Sequence, residues 1–144
     1  MNSRTIFETV CGLAGGLAGF LFGATDGLFY ALIAFVILDY ITGIISAVVQ
    51  KNLSSRIGFG GIFKKSMVFV LVALANIVDE QVLGGSGGIL RSAVAAFLLA
   101  NEGLSVLENV SSAGIPVPEK LRAVLRQLKN EDETLKNKNK GGES

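Results

Sequence analysis

The sequence contains no histidine, no tryptophan, a single cysteine and two prolines. Without imidazole there is no His-based zinc site, no His-activated nucleophile and no imidazole general base. Cys11 cannot close an intrachain disulfide, and inside an apolar run it reads as a small buried side chain. Charge is scarce as well: 17% of residues are Asp, Glu, Lys or Arg, against roughly 25% in soluble chains. A formal net charge of +1 argues against a dedicated nucleic-acid binder. The glycine run "GLAGGLAGFLFG" at 12–23 fits neither the dinucleotide fingerprint nor a phosphate loop, since no strand precedes it and no Lys-Ser/Thr follows. No active site emerges from these residues, and the expectation is a protein without enzymatic activity, cofactor or metal.

What the chain has in plenty is apolar surface. Half of its residues are hydrophobic and its mean hydropathy is +0.54. The charges are segregated: residues 9–50 hold only Asp26 and Asp39, whereas residues 119–144 hold twelve charged side chains. That division points to a membrane body with a solvated tail.

Four hydrophobic segments follow. The first, Thr9 to Ala24, is sixteen residues and makes about 24 Å of helix, short for a hydrocarbon core of about 30 Å. Arg4 ahead of it resembles a signal peptide, but cleavage after Ala24 would place bulky Phe22 where a small residue is wanted. The second, Leu28 to Val49, holds one charge, Asp39. The short link Thr25-Asp26-Gly27 predicts a tight antiparallel hairpin with Asp26 capping the second helix. In the third, "FKKSMVFVLVALANIVD", Lys64 and Lys65 are expected to snorkel to one interface, with Asp79 and Glu80 marking the other. The fourth, Ile89 to Val110, carries Arg91, Glu102 and Glu108, and a re-entrant or interfacial helix is the alternative to a span.

Loop charges orient these segments. The stretch "QKNLSSRIGFGGIFKK" carries Lys51, Arg56, Lys64 and Lys65 and no acid, while "DEQVLGGSGG" carries two acids and no base. The positive-inside rule then puts the basic loop, both termini and the tail in the cytoplasm, which requires four spans. Three spans would force the basic loop or the tail outside.

Within the apolar segments the small and polar residues fall on faces. Gly12, Gly16, Gly19 and Gly23 recur at i, i+4, i+7 and i+11, a seam along which another helix of this chain or of a second copy could approach closely. Asp39, Thr42, Gly43 and Ser46 share one face of the second segment. A carboxylate at that depth costs roughly 2.5–3.5 kcal/mol on insertion scales, so it should face protein or water. Arg91 and Glu102 share one face of the fourth segment, and Asn101, Ser105, Glu108 and Ser112 form a polar stripe. An Asp39–Arg91 pair would neutralise two of these charges. Buried pairs that orient the bundle, a wet lumen formed on oligomerisation, and a proton or ion relay are all compatible with this pattern.

After "GIPVP", Leu121, Val124, Leu125 and Leu128 lie on one face, with Lys120, Arg122, Arg126 and Lys129 around it. This is a basic amphipathic helix, on the membrane surface or docked on the bundle. From Asn130 the sequence is poor in apolar residues and is expected to be disordered. The organisation is thus an all-α integral membrane protein: a helical bundle over 1–114 with three or four spans, an amphipathic helix over 115–130 and a charged tail over 131–144.

Several segments taken together, "LDYITGIISA", "SSRIGFGGIFKK", "ANIVD", "ANEGLSVLENV" and "GIPVPEKLRAVLRQL", resemble the phage-lysis and toxin-secretion holins, small membrane proteins of phages and prophages chiefly of Gram-positive bacteria. The resemblance spans roughly residues 28–129 and is weak over the glycine-rich first segment. It implies a multi-pass protein of the bacterial cytoplasmic membrane whose copies associate and open lesions at a set time. An endolysin or a large toxin then crosses, without direct contact being required. Beyond lipid and its own copies it implies no ligand. An antiholin or membrane anchor shares the same pattern. A small proton-coupled transporter would need an aromatic-lined pocket near the midplane, and the sequence has no aromatic cluster beside Asp39.

Overall fold

The computed structural model describes residues 2–23, 25–52, 55–85 and 87–140, with side chains outside 55–59 and 130–140. All regular structure among them is helical: α1 (Ser3–Phe22), α2 (Gly27–Val49), α3 (Ser55–Ile77), α4 (Ile89–Ser112) and α5 (Glu119–Lys140), with a π-helical turn (Val78–Val82) continuing α3. Four stretches, Ser3–Phe22, Gly27–Val49, Gly60–Val82 and Ile89–Ser112, are long and apolar enough to cross a membrane. The all-α, four-segment architecture read from the sequence is the observed one.

The boundaries shift in three places. α1 begins at Ser3 rather than Thr9. Its polar first turns are held by Arg4 on Glu8 at 3.2 Å and by the Thr9 hydroxyl on the Thr5 carbonyl at 2.8 Å. Twenty residues give α1 about 30 Å, and the shortfall against the bilayer disappears. The basic stretch read as a loop is helical from Ser55 onward. α2 is closed just past its end, where Lys51 adopts φ 57°. There the Asn52 amide donates to the Ala47 carbonyl at 2.9 Å and the Lys51 amide to the Val48 carbonyl at 3.1 Å, a Schellman closure built without glycine. Finally, α5 runs to Lys140, past Asn130, where composition suggested that order ends; Glu131, Glu133, Leu135, Lys136, Lys138 and Lys140 in that stretch are good helix formers. Residues 141–144 lie outside the described residues.

α4 is the centre of the bundle, packed against α2, α3 and α5. Its small residues allow this. Ala95 and Ala100 are fully buried, and a Cβ on Gly103 would lie 2.8 Å from the Phe35 ring of α2 and 3.0 Å from Leu125 of α5. Leu32, Val36, Val68, Val72, Ala95 and Leu98 form the main apolar core.

α1 behaves differently. None of its residues is buried, and apart from the Phe22 ring against Phe29 at the start of α2 its helix packs on α3 rather than along α2, its sequence neighbour. The tight α1–α2 hairpin expected from the short link is therefore not formed. The departure angle of α1 is set at its last turn. The Asn76 amide of α3 donates to the Phe20 carbonyl at 3.1 Å, and Arg91 of α4 donates through Nε to the Phe22 carbonyl at 2.6 Å. Gly23 follows with φ 68°, and the Asn76 carboxamide fills the space that a Cβ would need.

Candidate functional site: two buried charge clusters

The polar groups of the bundle collect in two places. The first is at the end where α1, α2 and α4 meet. Asp26 caps α2 as expected, accepting from the Phe29 amide at 3.0 Å, and its other oxygen accepts from Arg91 Nη1 at 3.0 Å. Arg91 is buried, with its guanidinium 5.7 Å from the centre of the Phe29 ring. Asp79, fully buried in the π-helical turn, accepts from the Leu90 and Arg91 amides at 3.2 and 2.7 Å, so a side chain from another element caps the start of α4. Asp26 lies outside the spanning helices. The Arg91 guanidinium, and then the Phe29 amide, hold its carboxyl below the usual value.

The second cluster joins α2, α3 and α4. Lys65 donates to Glu102 at 2.9 Å and also to Asp39, whose other oxygen accepts from the Asn109 amide at 2.8 Å. Asn109 also reaches the Asp39 carbonyl at 3.3 Å and the Thr42 hydroxyl at 3.2 Å. The three charged side chains are 20, 9 and 8% exposed for Lys65, Asp39 and Glu102. Two sequence expectations are corrected here. Asp39 pairs with Lys65 and not with Arg91, because Arg91 belongs to the other cluster. Lys65 turns into the bundle instead of snorkelling, because two carboxylates lie within reach of its stem, while its neighbour Lys64 is exposed.

Other candidate residues divide by face. Of the stripe on α4, Asn101 and Ser105 are half-buried and Glu108 and Ser112 are exposed, whereas Glu102 turns inward. A Cβ placed on Gly12, Gly16 or Gly19 would meet nothing of its own chain within 4 Å, and Cys11, expected to be buried, is exposed beside them. Lys51, Lys120 and Arg126 are exposed, and the Arg56 side chain lies outside those described. On α5, Leu125 is buried against α4 while Leu121 and Val124 are exposed. Beside Lys65 an apolar groove of about 240 Å³ is lined by Val36, Ile37, Tyr40, Ile62, Ser66 and Phe69. Aromatic side chains thus do stand near the Asp39 cluster, contrary to the reading from sequence. Among the described residues no group of three His, Cys, Asp or Glu is placed to hold a metal ion.

Sequence reasoning missed the inward role of Lys65, and it missed Asn109, Asn76 and Gly103. One signal was available for the first of these. Asp39 and Glu102 both needed a cation, and Lys64 and Lys65 were the basic residues of the intervening span.

No solved structure is detectably similar to this chain. Residues 16–130 match the bacteriophage holin family. An uncharacterized 14.9 kDa protein of Clostridium perfringens is 40% identical over 116 residues, covering 81% of this chain and 87% of that protein. An uncharacterized protein of Bacillus subtilis, YqxH, is 36% identical over 118 residues, 82% of each chain. A probable holin of Bacillus phage phi105 is 33% identical over 114 residues, 79% of this chain and 82% of the phage protein. With its four membrane-length helices and this match over most of its length, the chain belongs to the bacteriophage holin family.

Proposed function

We propose that this chain acts as a holin: copies accumulate in the bacterial cytoplasmic membrane, associate, and open lesions through which an endolysin or a large toxin passes. The observation that carries this reading is the contrast between the closed bundle and α1. One chain gathers Arg91, Asp39, Lys65 and Glu102 into contacts within itself, and four helices are too few to enclose a protein-sized lumen, so a lesion requires many chains. α1 supplies an uncovered helix with a small-residue face, the feature by which helices associate in lipid, where apolar surface alone gives no drive. The positive-inside pattern orients both termini and the Lys51–Lys65 region toward the cytoplasm. Catalysis has no part in this reading.

Induced expression together with an endolysin provides the test. A holin arrests growth abruptly and releases the enzyme, with crosslinked high oligomers appearing at the same time. Delayed lysis by another holin would identify an antiholin instead. A proton-coupled transporter is the second reading, favoured by the groove beside Lys65 with Tyr40 and Phe69 in its wall. It would respond to a substrate and a proton gradient with no lysis.

A further inference from the structure

The second charge cluster does not balance. Asp39 and Glu102 bring two carboxyl groups to Lys65, the one cation hydrogen-bonded to them among the described residues, and Asn109 adds a neutral donor. Among the described side chains of the surrounding elements, no second cation is bonded to the cluster. On α3, Lys64 is exposed. On α4, Arg91 is bound to Asp26 and Glu108 is exposed. On α5, neither Arg122 nor Arg126 forms a hydrogen bond or ion pair with the cluster among the described residues. The charged residues of α1, Arg4 and Glu8, pair with each other at its exposed start. Fully ionised, the cluster would carry one uncompensated negative charge inside a membrane-spanning bundle, where an unpaired charge is costly enough that a carboxyl takes up a proton instead.

The two carboxyls are not equivalent. Asp39 accepts from two donors, the Lys65 ammonium and the Asn109 amide. Glu102 accepts from Lys65, and among the described residues no second donor to it is seen. We infer that Glu102 is a proton-binding site: the closed bundle holds Glu102 as a neutral carboxylic acid, Asp39 as carboxylate and Lys65 as ammonium, and the bound proton closes the α2–α3–α4 contact by making the cluster neutral. When water reaches the cluster the Glu102 O–H bond breaks, the proton passes to that water and the electron pair stays on the carboxylate. The cluster is then left with a net negative charge that favours exposure over burial. Under the holin reading this ties lesion opening to proton loss, but the site itself stands independently of lysis.

Infrared spectroscopy of the full chain in lipid vesicles at neutral pH tests the assignment by counting. Wild type is expected to show one buried carboxylic-acid carbonyl band, shifted when the glutamate carboxyls are isotope-labelled and unshifted when the aspartate carboxyls are. Glu102→Gln removes the band. Asp39→Asn also removes it, although Glu102 is still present, because Lys65 then suffices to balance an ionised Glu102. Lys65→Met doubles it. A wild type without the band, a band that follows the aspartate label, or an Asp39→Asn protein that keeps it would overturn the inference. Should Lys65→Met fail to accumulate, the two isosteric amide variants and the labels decide alone. None of these readings depends on whether the cells lyse.

Discussion

α1 and α4 are both helices of membrane length, yet they stand at opposite extremes of the same chain. α4 buries Arg91, Ala95, Leu98, Ala100, Glu102, Gly103 and Leu107; α1 buries nothing. α4 places its polar groups where other helices answer them, Arg91 at one end and Glu102 in the second cluster. α1 has no charge between Thr9 and its end, so its last turn is held by hydrogen bonds to backbone carbonyls and by the Phe22 ring against Phe29 and Phe69. Glycine shows the same division. In α4 the missing side chain of Gly103 is filled by Phe35 and Leu125, whereas those of Gly12, Gly16 and Gly19 face empty space. A small residue with an occupied neighbourhood has completed its packing within the chain. A row of small residues with none has yet to pack, and in lipid its remaining candidates are lipid and another protein surface.

Replacing Gly16 and Gly19 together with Leu should produce the largest effect. Leu suits both helix and lipid, so insertion and accumulation should match wild type. Bulk on the seam should nevertheless abolish crosslinked oligomers and lysis. Single changes to Ala should shift lysis timing only. Normal oligomers and normal lysis in the double variant would mean that this face of α1 meets lipid and that its contrast with α4 has no bearing on assembly.

Next in size is Lys65→Met. Removing one partner of a buried ion pair typically costs about 3–5 kcal/mol, because the surviving carboxylate must either stay uncompensated or take up a proton. The variant should unfold at a markedly lower temperature in detergent. Adding Asp39→Asn should recover most of the loss, since one carboxyl without a cation is neutralised more easily than two. A stable single variant, or a double variant no better than the single, would show that the cluster is not balanced by Lys65. No comparable charge change exists within the apolar stretch of α1, which is the point of the contrast.

The two glycine environments can be compared by the same mutation. Gly103→Ala forces a methyl group against Phe35 and Leu125 and should destabilise the bundle by about 1–3 kcal/mol. Gly12→Ala meets no neighbour and should instead stabilise its helix by up to about 1 kcal/mol. Thermal unfolding of both variants in the same detergent checks the opposite signs. Equal effects would remove the distinction between a filled and an empty seam.

The extent to which sequence anticipated this architecture follows from what periodicity can encode. Apolar runs and loop charges located the four membrane-length segments, and the position of Asp26 ahead of Leu28 foretold its cap on α2. Spacing along one helix also placed Arg91 and Glu102 on a common face, and both are buried. What spacing could not supply was which face meets which. Asp39 had two cations to choose from, and the long stem of Lys65 allows it either to snorkel or to reach inward, so only the placement of α3 beside α2 and α4 decides. The link between α1 and α2 was short enough to suggest a hairpin, but Asn76 and Arg91, contributed by distant elements, aim α1 elsewhere. The seam of α1 was legible as a seam, and its partner was not: Asn76 fills the place at Gly23, and nothing in the same chain meets Gly12, Gly16 or Gly19.

The smallest expected effect concerns the joint between the two regions. Asp26 holds Arg91 and caps α2, and these contacts keep its carboxyl below the ordinary value. A group whose folded-state value is depressed contributes stability in full above its unfolded value, about 3.9 for Asp, and loses it as pH falls through the depressed one. The bundle should therefore be insensitive to pH at this position near neutrality and lose a little stability in strong acid. With 44% of the side chain exposed, solvent screens the pair and the effect is modest. Asp26→Asn preserves a side-chain cap on Phe29, since Asn caps as well as Asp, while removing the charge facing Arg91. Melting temperatures of wild type and variant should differ slightly at neutral pH and converge below about pH 4, as the wild-type carboxyl takes up its proton. Because the other carboxyls titrate alike in both proteins, the difference between the two curves isolates Asp26. A constant offset down to strong acid would mean that the Arg91 contact contributes nothing through charge, and that the joint is held by the backbone carbonyls of α1 and its Phe22 ring without it.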